Sequence, residues 1–109
     1  QIYGKYEKDY REACRQIAEE RDRFYKELLE ISELTVFPSQ ANYFLCRLEH
    51  DGFSSTGLAR ELLQKHRIFI KDLSGKQGFE DNPKYFRIAV RNSRENNKLL
   101  KKLRKILKS

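Results

Sequence analysis

The most constraining feature of this sequence is an alternating apolar segment that leads directly into a helix start. Extended segment 85–91, YFRIAVR, would place successive side chains on opposite faces. One face would then be Phe86, Ile88 and Val90, and the other Tyr85, Arg87, Ala89 and Arg91. The Asn-x-x-Glu pattern from Asn92 to Glu95 is a capping box, which predicts that a helix begins there.

Arginines on the open face of a half-buried strand suggest anion binding. A guanidinium is planar and permanently charged, and it can donate two parallel hydrogen bonds to a carboxylate or a phosphate. The alternative is that Arg87 and Arg91 simply lie on a solvated sheet face.

The remaining sequence predicts two further helices. Residues from about 7 to 32 carry a stripe at alternating three- and four-residue spacing, made of Cys14, Ile17, Arg21, Phe24, Leu28 and Ile31. A second helix, at about 57–66, would be capped by Ser55 or Thr56 and would turn Leu58, Leu62 and Leu63 inward.

Short strands separate these helices. We expect an extended piece at 35–40 that proline stops, a strong strand at 41–48 and another strand at 67–71. The order helix, strand, helix, strand, strand, helix predicts an α+β fold with a long N-terminal helix. Its small, mostly antiparallel sheet would have helices packed on one face. The other face would carry Arg87.

Length and composition set the class of protein. A chain of 109 residues makes one domain, 1–109, and the absence of methionine leads us to expect a piece of a longer protein. No apolar run approaches the roughly 20 residues of a membrane span, and no signal peptide is visible. We therefore expect a cytoplasmic protein that does not contact membranes.

Cysteine and histidine usage gives no metal motif. Cys14 lies in a helical pattern and Cys46 in a strand pattern, with no CxxC and no histidine at ligand spacing. We expect both thiols to be buried and reduced, and we predict no metal site.

The net charge of +7 raises a second class of function, a small basic nucleic-acid-binding α+β module. Its sheet would stack bases on aromatic side chains, drawn from Tyr43, Phe44, Phe69, Tyr85 and Phe86. Strand alternation, however, puts Phe86 with the core, and much of the charge lies on the polar side of the last helix. We therefore expect no nucleic-acid partner.

Several short motifs in one order resemble a known family. They are PSQANYF at 38–44, IFIKDLS at 68–74, FRIAVR at 86–91 and EN at 95–96. With these motifs the chain resembles the C-terminal small domain of class I/II (fold type I) pyridoxal-phosphate-dependent aminotransferases. The nearest branch is similar to histidinol-phosphate aminotransferase and threonine-phosphate decarboxylase, and it includes nucleotidyltransferase-fused aminotransferases. The resemblance covers nearly the whole chain.

The resemblance implies roles for three residues. Arg87 would hold the α-carboxylate of an amino-acid-type substrate or a phosphorylated amino compound. Asn42 would lie near the mouth of the cleft, or would only cap a strand end. Arg91 would be a secondary anion contact if the substrate carries a second anion such as a phosphate.

The resemblance also implies what the chain does not carry. Pyridoxal phosphate would bind to the large domain of the same parent chain, so we expect no catalytic and no cofactor-binding residue in 1–109. The fragment alone would be inactive, and the parent would be a homodimer. Two departures from the histidinol-phosphate pattern leave the reaction open between transamination and decarboxylation. Arg91-Asn92 stands where that branch usually has Gly-Thr, and Lys71 stands where it often has Arg.

Overall fold

The computed structural model describes residues 2–80 and 82–108, with side chains from residue 4 onward. Its elements are α1 (Ile2–Leu29), β1 (Leu34–Val36), β2 (Tyr43–Leu48), α2 (Ser55–His66), β3 (Lys71–Asp72), β4 (Tyr85–Ala89) and α3 (Ser93–Leu107). The four strands form one antiparallel sheet in the order β1-β2-β4-β3. The predicted α+β fold with a long N-terminal helix is confirmed.

Strand alternation divides the sheet into a buried face and an open face. The buried face carries Phe44, Cys46 and Leu48 from β2 and Phe86 and Ile88 from β4, all at most 1% exposed. These side chains join one core cluster with the buried residues of all three helices. The helices therefore pack on one face of the sheet, as predicted.

Local hydrogen bonds fix where the helices begin. The side chain of Asn92 accepts the Glu95 N–H at 2.8 Å, so the predicted N-cap of α3 is confirmed. The prediction for α2 was wrong by one residue, because its cap is Ser54, whose hydroxyl accepts the Gly57 N–H at 3.0 Å. The hydroxyls of Ser55 and Thr56 donate instead to the Asp72 carboxylate.

The predicted apolar stripe of α1 is buried only in its C-terminal half. Phe24, Leu28 and Ile31 are fully buried, but Ile17 is 55% exposed and residues 4–17 are exposed throughout. The expectation that Cys14 is buried was therefore wrong. The periodicity is genuine, but within the described residues this half of α1 lies beyond the helices and strands that would cover it.

The segment predicted as a strand at 67–71 is mostly irregular. Only Lys71 and Asp72 pair with β4, and Phe69 is 63% exposed. The cause lies at the end of α2, where Arg67 adopts a left-handed backbone and the Ile68 N–H donates back to the Leu62 carbonyl. Residues 67 and 68 therefore form the C-terminal cap of α2, although the sequence pattern indicates that they belong to a strand.

Leu63, predicted to face inward, is 51% exposed. Leu58 and Leu62 are fully buried, so the buried stripe of α2 leaves Leu63 on its edge.

No helix in the described part of the chain is long and apolar enough to span a membrane.

Asp72 ties the start of α2 to the sheet. Its carboxylate accepts hydrogen bonds from the Ser55 hydroxyl at 2.7 Å, the Thr56 hydroxyl at 2.6 Å and the Ser74 N–H at 3.0 Å. Partial burial opposes ionisation, but these hydrogen bonds outweigh it and lower the pKa of Asp72. The lowered pKa means that the charged form stabilises the fold.

Asp72→Asn is expected to destabilise the folded 109-residue chain in a pH-dependent way. The folded-state pKa lies below the unfolded value, so the contribution of the carboxylate is complete above about pH 4 and is lost as the pH falls through the folded value. We expect a loss of about 1–2 kcal/mol in unfolding free energy at pH 7. The difference from wild type should narrow in acid, measured by urea unfolding at several pH values. Asp51→Asn, in an exposed turn, is the control; a pH-independent difference for Asp72→Asn would contradict the assignment.

Candidate functional site

Arg87 lies in the middle of the open face of the sheet. Its neighbours Phe86 and Ile88 are 0% and 1% exposed on the helix side, so the guanidinium projects from the opposite side, as predicted. In the antiparallel register Arg87 stands opposite Leu45 of β2 and Lys71 of β3. The sequence pattern thus placed Arg87 correctly, and the structure adds Lys71 as a second cation beside it.

The guanidinium of Arg87 rests on an aromatic ring. Its Cζ lies 4.4 Å from the ring centroid of Tyr43, which is a cation–π contact. Within residues 2–80 and 82–108, no carboxylate forms an ion pair with Arg87. Arg47, also on the open face, is by contrast paired with Glu49 at 2.8 Å. Arg87 is therefore held in place, and no carboxylate of the described residues occupies its hydrogen-bond donors, so that they can bind an anion.

Aromatic side chains form the other half of this face. Tyr85 lies between Phe37 and Phe79, with ring centroids 6.4 Å and 5.0 Å away. Of the aromatics considered for base stacking, Phe44 and Phe86 are buried in the core and cannot stack on a ligand. The open face thus carries an aromatic cluster around Tyr85 in addition to the cations Arg87 and Lys71.

Asn42 and Arg91 lie together, but in a different place from Arg87. Both line a groove of about 900 Å³ between α1 and the junction of β4 with α3, and Arg87 is not among its lining residues. The prediction that Arg91 shares the strand face of Arg87 was wrong, because β4 ends at Ala89. Arg91 lies beyond the strand, with Nη1 3.8 Å from Glu95 Oε2.

The backbone of Asn42 supports its strand-end role. Its carbonyl accepts the Val90 N–H at 2.8 Å, which extends the contact of β2 and β4 by one hydrogen bond. The side chain is exposed on the groove, so a ligand can also reach it. The two roles predicted for Asn42 are therefore compatible.

Sequence reasoning missed a buried polar link behind this groove. Asn96 is 2% exposed, and its amide contacts both Arg91 and Glu20. The pKa of Glu20 is lowered, chiefly by a hydrogen bond from Arg23, with burial opposing and Asn96 adding a smaller effect. The only signal in the sequence was the Glu-Asn pair of the last motif, in which Glu95 had been assigned to the capping box and Asn96 had no assigned role.

The lysines in the described residues do not fit a covalent cofactor site. Such a lysine must be desolvated and have a free amine. Lys84 is half-buried, but its ammonium donates to the carbonyls of His50 at 2.8 Å and Phe53 at 2.6 Å. The other lysines are exposed, except the half-buried Lys102 on α3. Nor does any group of three or more His, Cys, Asp or Glu side chains in the described ranges fit a metal ion.

Comparison with known proteins identifies the family. Residues 3–103 match the family model for aminotransferase class I and II. The chain belongs to this family. The match spans most of the chain and includes both the open face with Arg87 and the groove with Asn42 and Arg91. The protein is therefore part of an enzyme family.

Two curated relatives represent different reactions. The chain is 37% identical over 91 residues to threonine-phosphate decarboxylase of Salmonella typhimurium, covering 84% of this chain and 23% of that protein. It is 32% identical over 102 residues to histidinol-phosphate aminotransferase of Methanopyrus kandleri, covering 93% and 25%. The chain thus spans about a quarter of the length of these relatives.

A solved structure shares the fold closely. A decarboxylase from Sulfurospirillum multivorans superposes with a TM-score of 0.85 at 32% identity, covering 94% of this chain and 28% of that one. The small antiparallel sheet with its long first helix is therefore an arrangement that also occurs within a longer enzyme chain.

The family implies pyridoxal phosphate, and we expect the 109-residue chain not to hold it at one lysine. The chain would be incubated with the cofactor and reduced with borohydride, and modified lysines would be mapped by mass spectrometry. Labelling should spread over several exposed lysines, and Lys84 should react little because two carbonyls bind its ammonium. Stoichiometric labelling of a single lysine would contradict the prediction.

Proposed function

We propose that this chain is the substrate-binding small domain of a pyridoxal-phosphate-dependent enzyme and that Arg87 binds the substrate carboxylate. The observation that carries the proposal is the state of Arg87 on the open face. Its guanidinium is supported by Tyr43 and makes no ion pair with a carboxylate of the described residues. Membership in the aminotransferase class I and II family supports the same assignment.

The chemistry of the open face suits a small anionic substrate. Arg87 can donate two parallel hydrogen bonds to a carboxylate, and Lys71 on the neighbouring strand adds a second positive charge. A half-buried position makes such hydrogen bonds stronger than they are in bulk water. The carboxylate would thereby be oriented as well as bound, which is the contribution that a positioning contact makes to catalysis.

The cofactor would be supplied by the remainder of the parent chain. Pyridoxal phosphate acts as an electron sink when bound, and the lysines described above do not fit it. We propose that a large domain of the same polypeptide holds it, that the parent is a homodimer and that the 109 residues alone are inactive. The exposed apolar side chains of α1, Tyr6 at 74% and Tyr10 at 64%, support a covering partner.

Two reactions remain candidates for the full-length protein. One is transamination of an amino acid or a phosphorylated amino compound, and the other is decarboxylation of a threonine-phosphate-like substrate. We would assay carbon dioxide release from O-phospho-L-threonine, and amino transfer to 2-oxoglutarate from L-histidinol phosphate. Turnover of either supports the proposal, and the ratio of the two kcat/KM values assigns the reaction. Turnover of neither, by a protein loaded with cofactor, would contradict it.

Arg87→Lys in the full-length protein is expected to lower kcat/KM for a carboxylate-bearing substrate severely, although the positive charge is kept. Lysine is a point charge and cannot supply two parallel donors. Losing one charge-assisted hydrogen bond costs roughly 1.5–3 kcal/mol, or about one to two decades in kcat/KM. Much of the loss should appear in KM, because the contact exists in both ground and transition states.

The matched control is Arg47→Lys, on the same face but already paired with Glu49. It should change kcat/KM by less than about twofold. Arg91→Lys should also be tolerated unless the substrate carries a second anion. An Arg87→Lys variant within about twofold of wild type would show that Arg87 is only a surface residue.

A further inference from the structure

We propose that Asn96 is a positioning residue for Arg87, acting through the end of β4; this inference rests on the proposed function. Asn96 lies in the first turns of α3 and is 2% exposed. Asparagine is a poor helix former, and burying an amide without partners is costly. Its hydrogen bonds show what it does at this position.

The Asn96 amide binds both backbone groups of Arg91. Its Oδ1 accepts the Arg91 N–H at 3.0 Å, and its Nδ2 donates to the Arg91 carbonyl at 2.8 Å. The side chain thus does what a neighbouring strand would do for a residue that has just left the sheet. The end of β4 is therefore fixed by a side chain from the helix that follows it.

The same amide links this strand end to α1. Asn96 Nδ2 also donates to Glu20 Oε2 at 2.8 Å, and Glu20 is itself held by Arg23 through two hydrogen bonds. All the hydrogen-bonding capacity of Nδ2 is used, and Oδ1 has a partner. Alanine cannot replace these hydrogen bonds because its side chain has no donor or acceptor. Aspartate cannot replace them because it would place a second carboxylate against Glu20.

A short series of contacts connects this link to the open face. Next to Arg91, the Val90 N–H donates to the Asn42 carbonyl, and Ala89 then pairs with Tyr43. The Tyr43 ring supports the Arg87 guanidinium at 4.4 Å. Releasing Arg91 would loosen this pairing from its end and change the geometry of Tyr43 beneath Arg87.

The test uses Asn96→Ala in the full-length protein, with Asn97→Ala as the matched control. Asn97 is the next residue of α3 and is exposed. Both variants are also made in the R87K background. KM and kcat are measured for the carboxylate-bearing substrate, which is O-phospho-L-threonine in decarboxylation and 2-oxoglutarate, at saturating L-histidinol phosphate, in amino transfer. Backbone amide exchange is followed over residues 89–91.

If Asn96 acts through Arg87, Asn96→Ala raises KM by about tenfold in the wild-type background. In the R87K background Asn96→Ala raises KM by less than about twofold, because lysine no longer supplies the two parallel donors whose position depends on Asn96. Amide exchange at 89–91 accelerates with Asn96→Ala, and Asn97→Ala changes neither quantity.

Three outcomes overturn the inference. Faster exchange with unchanged KM, while Arg87→Lys remains damaging, shows that Asn96 only stabilises the fold and leaves the proposed function intact. Equal effects of Asn96→Ala in the two backgrounds show that it does not act through Arg87. A tolerated Arg87→Lys instead removes the proposed function, and the positioning role with it.

Discussion

The pairing of β2 with β4 is the interaction on which the rest of the structure depends. These two strands form the centre of the sheet, with Phe44 opposite Ile88 and Leu45 opposite Arg87. One register therefore places the largest core side chains under the helices and the arginine on the open side. A shift by one residue would bury the guanidinium and expose Phe86. The register of β2 against β4 therefore determines both the packing of the core and the position of Arg87 in the candidate site.

Sequence patterns predicted the features that depend on local periodicity. The alternation from Tyr85 to Ala89 and the Asn92 cap of α3 are both short-range properties, and the structure has both. The placement of Arg87 followed from the same alternation, so it needed no knowledge of the remaining chain.

The features that the sequence pattern could not predict depend on what lies across the fold. The stripe of α1 indicates an apolar face, but whether Ile17 is covered depends on which elements reach it. Arg91 continues the alternating pattern, yet the strand has already ended, because Asn96 holds the Arg91 backbone in place of a neighbouring strand. Asn96 and Glu20 are far apart in the chain and no periodicity connects them. Only the packing of α1 beside α3 brings them together.

The two halves of α1 are stabilised by different physical forces. Around Phe24 and Leu28 the helix is held by burial, whereas the exposed turns carry charge pairs, Glu7 with Arg11 and Arg15 with both Glu12 and Glu19. Such pairs are weak and are screened by salt, and an exposed helical stretch of this length is marginal in water by itself. The buried half also has ion pairs, Glu20 with Arg23 and Glu27 with Arg104, but its burial does not depend on them. Added salt should therefore weaken the exposed half of the helix more than the buried half, so that the length of stable helix depends on ionic strength.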